Sequence, residues 1–353
     1  MINAKLYQDD LERAQELIPE LDKMQNARIL ITGANGLICS AIADFLLCLN
    51  DKKDYKIKVF LAARSEKKIN GIFGELLKSR NDLTYIKYDA NEPITGNETF
   101  DYIIHGASNA TPATYIQQPV ETMVTNFAGI KNVLDYAMNN QTKRVLYISS
   151  SEVYGKKLGS SAYKEDEYGF LDILNPRACY PSSKRAAETL CMAYMEEYGV
   201  ASVIVRPGHI YGPTANDSDN RIASQIPRNI LVGQDIVLKS AGTQLRSYCY
   251  VIDCLTAILT VLLRGVDGEA YNISNKNSIV TIREMAKAFA KAGDKKVVFE
   301  KASDAEEKGF NPMDNSSLNS EKLEALGWKG VFDLNKGTEH TLQCLEAIVH
   351  KGQ

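Results

Sequence analysis

Short β-type runs and longer helical patterns alternate along more than half of the chain. Arg28-Ile29-Leu30-Ile31-Thr32 is the first run, and the apolar spacing from Leu37 to Leu49 predicts a helix after it. Lys58 to Ala63, Thr84 to Tyr88, Tyr102 to His105, Arg144 to Ile148 and Ala201 to Val205 continue the series of strands. Helical patterns lie between most of them, notably over 117–140 and 180–198. Such alternation builds a parallel sheet covered on both faces, with right-handed crossovers. Ahead of the first strand, residues 5–26 mix charge with helical apolar spacing and read as a helical extension. After Pro207 the rhythm changes: Gly, Pro, Asn and Asp crowd 207–220, and later segments are shorter and less regular. The expected organisation has three parts: a helical extension over 1–26, a doubly wound parallel sheet over 27–206, and a smaller α/β lobe over 207–353. That lobe, interleaved with the sheet domain, would cover the carboxyl ends of the strands, where open α/β sheets bind ligands.

Composition narrows the function class. The 353 residues are 44% hydrophobic and 24% charged, the balance of an ordinary folded chain with room for a large core. A net charge of -3 gives no reason to expect nucleic acid or an anionic membrane as partner. There is no run of about eighteen apolar residues and no basic N-terminal stretch followed by an apolar one, so neither a spanning helix nor a secretory signal is expected. The seven cysteines form no CxxC or Cys/His cluster. They read as reduced, buried thiols of a cytoplasmic protein, and no metal site is expected.

Two motifs carry chemistry. Gly33-x-x-Gly36-x-x-Cys39 sits between a strand and a helix, the setting of a dinucleotide-binding fingerprint. Gly33 permits the tight turn, and Gly36 lets backbone approach a pyrophosphate. Asn35, Leu37 and Ile38 complete the loop and helix start that face it. A plain tight turn is the alternative. At the second strand end stands Ala63-Arg64-Ser65, with no carboxylate before Glu66. Arg64 and Ser65 lean toward NADP over NAD, since an acidic residue there would bind a free ribose hydroxyl and an Arg accommodates a 2′-phosphate. Stacking of Arg64 on adenine would explain it too. Asp89 could accept from the adenine amino group or serve as a turn residue. Ala107, after the fourth strand, belongs to the same cofactor surface.

The second motif is Tyr180-Pro-Ser-Ser-Lys184, which puts Tyr and Lys one helical turn apart on one face. A phenol is a poor base near neutral pH, but an adjacent ammonium and a nicotinamide cation both favour phenolate. The fifth strand ends in Ser149-Ser150-Ser151-Glu152-Val153-Tyr154-Gly155. Counting back from Val153 assigns to Ser150 the hydroxyl that bonds the reacting oxygen beside Tyr180. Ser151, its neighbour, is assigned to the substrate.

With these motifs the chain resembles the extended short-chain dehydrogenase/reductases of the sugar-nucleotide epimerase/dehydratase/decarboxylase group, from about residue 27 to about 345. Several stretches are most similar to UDP-glucuronic acid decarboxylases: His105 to Tyr115, Pro119 to Gly129, Ser150 to Gly155, Pro176 to Tyr180, Lys184 to Thr189, and Gly242 to Asp253. The resemblance implies a Rossmann-type fold and a cycle on a bound cofactor. Tyr180 takes the proton of a sugar 4-hydroxyl as hydride leaves C4, and the 4-keto intermediate then loses carboxylate, loses water or presents its other face. Glu152 matches an acidic residue near the reacting carbons, Asn126 a helix asparagine that organises the site, and Arg246 a diphosphate-binding arginine. A homodimer through a four-helix bundle is implied as well.

Three positions depart from that pattern. Arg64 stands where the decarboxylases carry Asp and hold NAD. His209 and Gln225 stand where substrate-contacting asparagines are common, and both are assigned to the substrate. A decarboxylase is the leading expectation. A reductase that spends NADPH on a 4-keto-6-deoxy sugar nucleotide, a 4-epimerase or 4,6-dehydratase, and a non-catalytic NADP sensor are the alternatives. Intact Ser150, Tyr180 and Lys184 argue against the last.

Overall fold

The computed structural model describes residues 4–157, 159–216, 219–303 and 313–349. The β-type runs form strands β1 (Arg28–Thr32), β2 (Lys58–Ala63), β3 (Leu83–Lys87), β4 (Tyr102–His105), β5 (Arg144–Ile148) and β6 (Ser202–Pro207). They pair in parallel in the order β3-β2-β1-β4-β5-β6, and β10 (Ala270–Ile273) adds the seventh strand beside β6. This is a Rossmann-like doubly wound sheet, whose switch point lies between β1 and β4. Strands such as β1 and β2 are buried on both faces because helices cover both. The covering helices include α2 (Leu37–Lys53), α3 (Glu66–Ser79), α5 (Pro119–Asn139), with the short α4 (Pro112–Gln117) just before it, and α6 (Cys179–Tyr198). Helices α5 and α6 pack against each other along their length.

Beyond β6 the chain builds small sheets at the carboxyl ends of the strands. β7 (His209–Tyr211) pairs with β9 (Leu245–Tyr250), which also pairs with β11 (Ile279–Thr281) and β13 (Asn315–Ser316). β8 (Ile236–Leu238) pairs with β12 (Val297–Phe299). α7 (Ile222–Leu231), α9 (Ile282–Ala292) and α11 (Leu334–Val349) pack around them, with the one-turn α10 (Glu321–Glu324) between. α8 (Val251–Arg264), buried along nearly its whole length, returns to the large sheet.

The N-terminal extension is not one helix. Helix α1 (Lys5–Ala14) is followed by two single 3₁₀ turns, Gln15–Leu17 and Leu21–Met24. Pro19 explains the break: it disfavours the helical basin for the residue before it, and Ile18 is extended, with φ -106 and ψ 111. Tyr7, Leu11 and Ala14 of α1 are buried. They pack on α2, α8 and α11, so the start of the chain docks against both the large sheet's helices and the last helix.

Candidate active site

The cleft begins at the turn after β1. Gly33 has φ +69, and a Cβ there would lie 2.8 Å from the backbone of Gly106 and Ala107. Both facts require glycine. The turn is closed by Gly33 N–H to Ala62 O (2.9 Å) and Gly36 N–H to Gly33 O (2.9 Å), and α2 starts at once with Leu37. Its first amides are free for an anion. Cys39, on the next turn, fills the space a Cβ of Gly106 would need, 2.4 Å from Sγ, so helix and strand pack closely there. Gly33, Asn35, Gly36, Leu37, Ile38 and Ala107 all line the cleft. From the smaller lobe, Thr214 Oγ1 donates to Leu37 O (2.8 Å) and Asn216 Nδ2 to Asn35 O (3.3 Å), fastening that lobe to the turn.

Farther along, Arg64 lines the cleft at the end of β2, exposed and with no carboxylate bound to it among the described residues. Asp89 lines it too, while its Oδ1 accepts from Asn91 N (3.0 Å) as in an ordinary turn. Ser65 does not reach it. Its hydroxyl accepts from Lys68 N (3.3 Å) and caps α3. Asn126 is likewise set back. It is 1% exposed, receives the Ser108 hydroxyl (2.7 Å) and donates to Ser183 Oγ (3.0 Å). It therefore ties the loop after β4 to α6 and acts on the cleft through Ser108, which does line it.

At the end of β5 the residues expected to be catalytic meet. Ser150, Ser151, Glu152, Tyr180 and Lys184 all line the cleft. The Ser150 hydroxyl accepts from Glu152 N (3.2 Å) and lies near enough to the Tyr180 phenol to favour its ionised form. Burial pushes that phenol up to about 12, with Glu152 adding to the rise, while Ser150, Arg221 and Arg177 pull it back. Lys184 is 2% exposed and donates to Ile148 O (2.8 Å), with its ammonium 4.7 Å from the Tyr147 ring centroid. Burial pulls the ammonium down to about 7 against the opposing charge of Glu188. The phenol and the ammonium are thus moved by the same desolvation in opposite directions.

Glu152 is held in a way the sequence pattern did not reveal. Arg177 binds it bidentately, Nη1 to Oε2 at 2.8 Å and Nη2 to Oε1 at 3.1 Å. The guanidinium lies 4.5 Å from the Tyr115 ring, which stacks on Tyr180 at 5.2 Å. A carboxylate, a guanidinium and two phenols therefore form one connected wall. Arg177 stands three residues before Tyr180, the spacing of one helical turn; paired with the unmatched Glu152, that is the signal that could have found it. Arg221 also lines the cleft, anchored by Asp219 through Nε (2.9 Å).

The substrate-side expectations divide. His209 lines the cleft, its Nδ1 buried without a partner. Burial, Arg246 and Arg221 hold its imidazole neutral, down to about 3. Arg246 is 3% exposed and does not line the cleft. Its Nη1 bonds Leu245 O (2.9 Å) and Asp314 O (3.5 Å), and its place on β9 is opposite Val280 of β11 and Ser316 of β13. Gln225 is exposed on α7 and outside the cleft, because the inward face of that helix is made by Ala223, Ser224, Ile226, Pro227 and Ile230. Among the described residues no His, Cys, Asp and Glu group could hold a metal ion, and no helix is long and apolar enough to cross a membrane.

Residues 29–274 match the model of the NAD dependent epimerase/dehydratase family, well over half of the chain. The chain belongs to that family. It is 31% identical over 314 residues to UDP-glucuronic acid decarboxylase 3 of Arabidopsis thaliana, covering 88% of this chain and 87% of that one. To UDP-glucuronic acid decarboxylase 1 of Xenopus tropicalis it is 29% identical over 324 residues, 91% of this chain and 73% of the other. Among solved structures, dTDP-glucose 4,6-dehydratase of Streptomyces venezuelae with NAD bound superposes with a TM-score of 0.76 at 23% identity, over 91% of this chain and 97% of that one. UDP-glucuronic acid 4-epimerase of Bacillus cereus, in complex with UDP-glucuronic acid and NAD, gives 0.74 at 21% identity over 91% and 99%. These likenesses agree with the fold described above, and the family places this chain among sugar-nucleotide-modifying, NAD-dependent enzymes.

Proposed function

We propose that this enzyme oxidises a nucleotide-linked glucuronate at C4 and decarboxylates the 4-keto sugar, in the manner of UDP-glucuronate decarboxylases. The observation that carries the reading is the meeting of Ser150, Tyr180 and Lys184 with the Glu152–Arg177 pair in one cleft behind the Gly33 turn. Relatives that bear that name support it across most of the chain. The residues present fit a dinucleotide: the glycine turn leaves no room for a Cβ, and the first amides of α2 face the cleft. Gly33, Asn35, Gly36, Leu37 and Ile38 would hold the pyrophosphate, and Arg64 and Asp89 the adenosine end. When bound, the nicotinamide supplies a reversible hydride acceptor. Tyr180 takes the proton of the 4-hydroxyl, Lys184 stabilises the phenolate with its charge, and Ser150 orients the reacting oxygen. A carbonyl at C4, β to the carboxylate, makes loss of carbon dioxide easy. Glu152, fixed by Arg177, stands where the proton inventory of that step is managed.

The test is incubation of the purified protein with UDP-glucuronate and no added cofactor. Release of carbon dioxide with formation of a UDP-pentose is the expected result. One observation favours a second reading. Arg64, at the place where an acidic residue would select NAD, leans toward NADP and a net reduction. Stoichiometric oxidation of added NADPH by a 4-keto-6-deoxy sugar nucleotide, with no turnover of UDP-glucuronate, would establish that one instead. We also infer a homodimer, because Val120, Met123, Val124 and Phe127 make an exposed apolar stripe on α5. All seven cysteines are free and buried, which suits a reducing, cytoplasmic setting.

A further inference from the structure

One buried charge pair has no part in the chemistry above. Glu188 and Arg206 lie under the end of the catalytic strand, 8% and 2% exposed. Arg206 binds the carboxylate through Nη2 to Oε2 at 2.7 Å and Nε to Oε1 at 3.0 Å. Ser149, which lines the cleft, donates to the same Oε1 at 2.5 Å. Three donors hold the carboxylate in place, two on Oε1 and one on Oε2. It can neither turn to ion-pair with Lys184 nor serve readily as a proton carrier.

Its place on α6 gives it another use. Glu188 follows Lys184 by four residues, so the two stack on one helix face. Lys184 is buried with a carbonyl and an aromatic ring as its neighbours, and no carboxylate lies within salt-bridge distance of it among the described residues. An isolated buried ammonium tends to lose its proton. The titratable groups around Lys184 are Cys39 from α2, His105 from β4, Tyr147 from β5, and Tyr180, Glu188 and Cys191 on α6. Burial keeps both thiols protonated and His105 neutral. Glu188 is thus the formal negative charge that favours the protonated form of Lys184 in the resting site, with Arg206, on its other side, offsetting part of that field.

We propose that Glu188 is a positioning residue for Lys184: locked by Arg206 and Ser149, its carboxylate keeps the lysine protonated beneath Tyr180 while a nicotinamide cation is present. The inference rests on Lys184 acting with Tyr180 as proposed above. It predicts that Glu188→Gln, which keeps the shape and removes the charge, lowers the pH at which Lys184 loses its proton by about one unit or more. The measurement is NMR of cofactor-loaded protein labelled with ¹⁵N-lysine, the Lys184 signal being assigned by its loss in Lys184→Met. In parallel, the alkaline limb of kcat should move to lower pH in Glu188→Gln, so that the loss of rate is about tenfold at pH 8 and smaller at pH 6. If Arg206, left without its anion, prevents folding, the double variant Glu188→Gln with Arg206→Met carries the test with the same direction of shift. A Lys184 midpoint unchanged in the variant overturns the proposal, as does a fall in rate equal at all pH values. If the wild type does not turn over UDP-glucuronate, the functional reading fails while the NMR titration still decides this one.

Discussion

Tyr180 shows how little of an active site lies in a residue alone. Buried and stacked on Tyr115, its phenol resists ionisation more than it would in water. Its use as a base depends on the cationic groups set around it. Tyr180→Phe should therefore lower kcat by about 10²–10⁴-fold while leaving the protein folded and able to bind dinucleotide by calorimetry. Arg177 is the next most informative position. Arg177→Lys keeps the charge but cannot grip both oxygens of Glu152, so turnover should drop by about tenfold or more with melting temperature little changed. His105 permits a prediction of opposite kind, on stability. It is 1% exposed, bonded to Thr32 Oγ1 at 2.8 Å, and held by burial down to about 3 from an ordinary 6.5. Between those values the unfolded chain binds a proton that the folded one does not, so stability falls as pH drops from 6.5 toward 3. In denaturant titrations across that range, His105→Gln should show a slope shallower by about one proton; an unchanged slope would contradict the burial account.

At the scale of elements, the alternation of strands and helices was legible because the inner strands of the large sheet, such as β1, β2 and β6, are buried on both faces and read as short apolar runs. The strands β1 to β6 begin and end within two residues of the apolar runs that announce them, whereas β10, the seventh of the large sheet, was not announced. The glycine turn was legible for a related reason: backbone needs of this kind leave no choice of residue. Gly33→Ala should cost about 1–3 kcal/mol through φ alone, with a further loss of cofactor affinity, both measurable by thermal shift with and without dinucleotide. What the sequence could not show was which side of an element a polar residue takes. Ser65 caps a helix, Gln225 faces outward and Arg246 lies a layer below the cavity, each one short step from its expected place. Those outcomes turn on helix phase and strand pairing, which a local motif does not encode. Pro19 is the exception, a local signal that broke the expected N-terminal helix and could have been read.

At the scale of the molecule, the homodimer proposed above rests on the exposed apolar side chains of α5, and on that proposal Phe127→Glu or Val124→Asp should convert a dimer into a monomer in light scattering. The smaller lobe is joined to the large sheet by β10, by α8 and by the hydrogen bonds from Thr214 and Asn216, so the cleft is walled by parts of the chain far apart in order. Helix α1 extends that separation to its limit. Asp10 accepts from Tyr250 Oη (3.2 Å) and bonds His340 Nδ1 (2.8 Å), partners 240 and 330 residues away. During synthesis α1 must therefore wait, its apolar face uncovered, until α11 has been made. A late, concerted step in refolding is what such an order of events predicts, and removing residues 1–26 should abolish that step and lower the melting temperature.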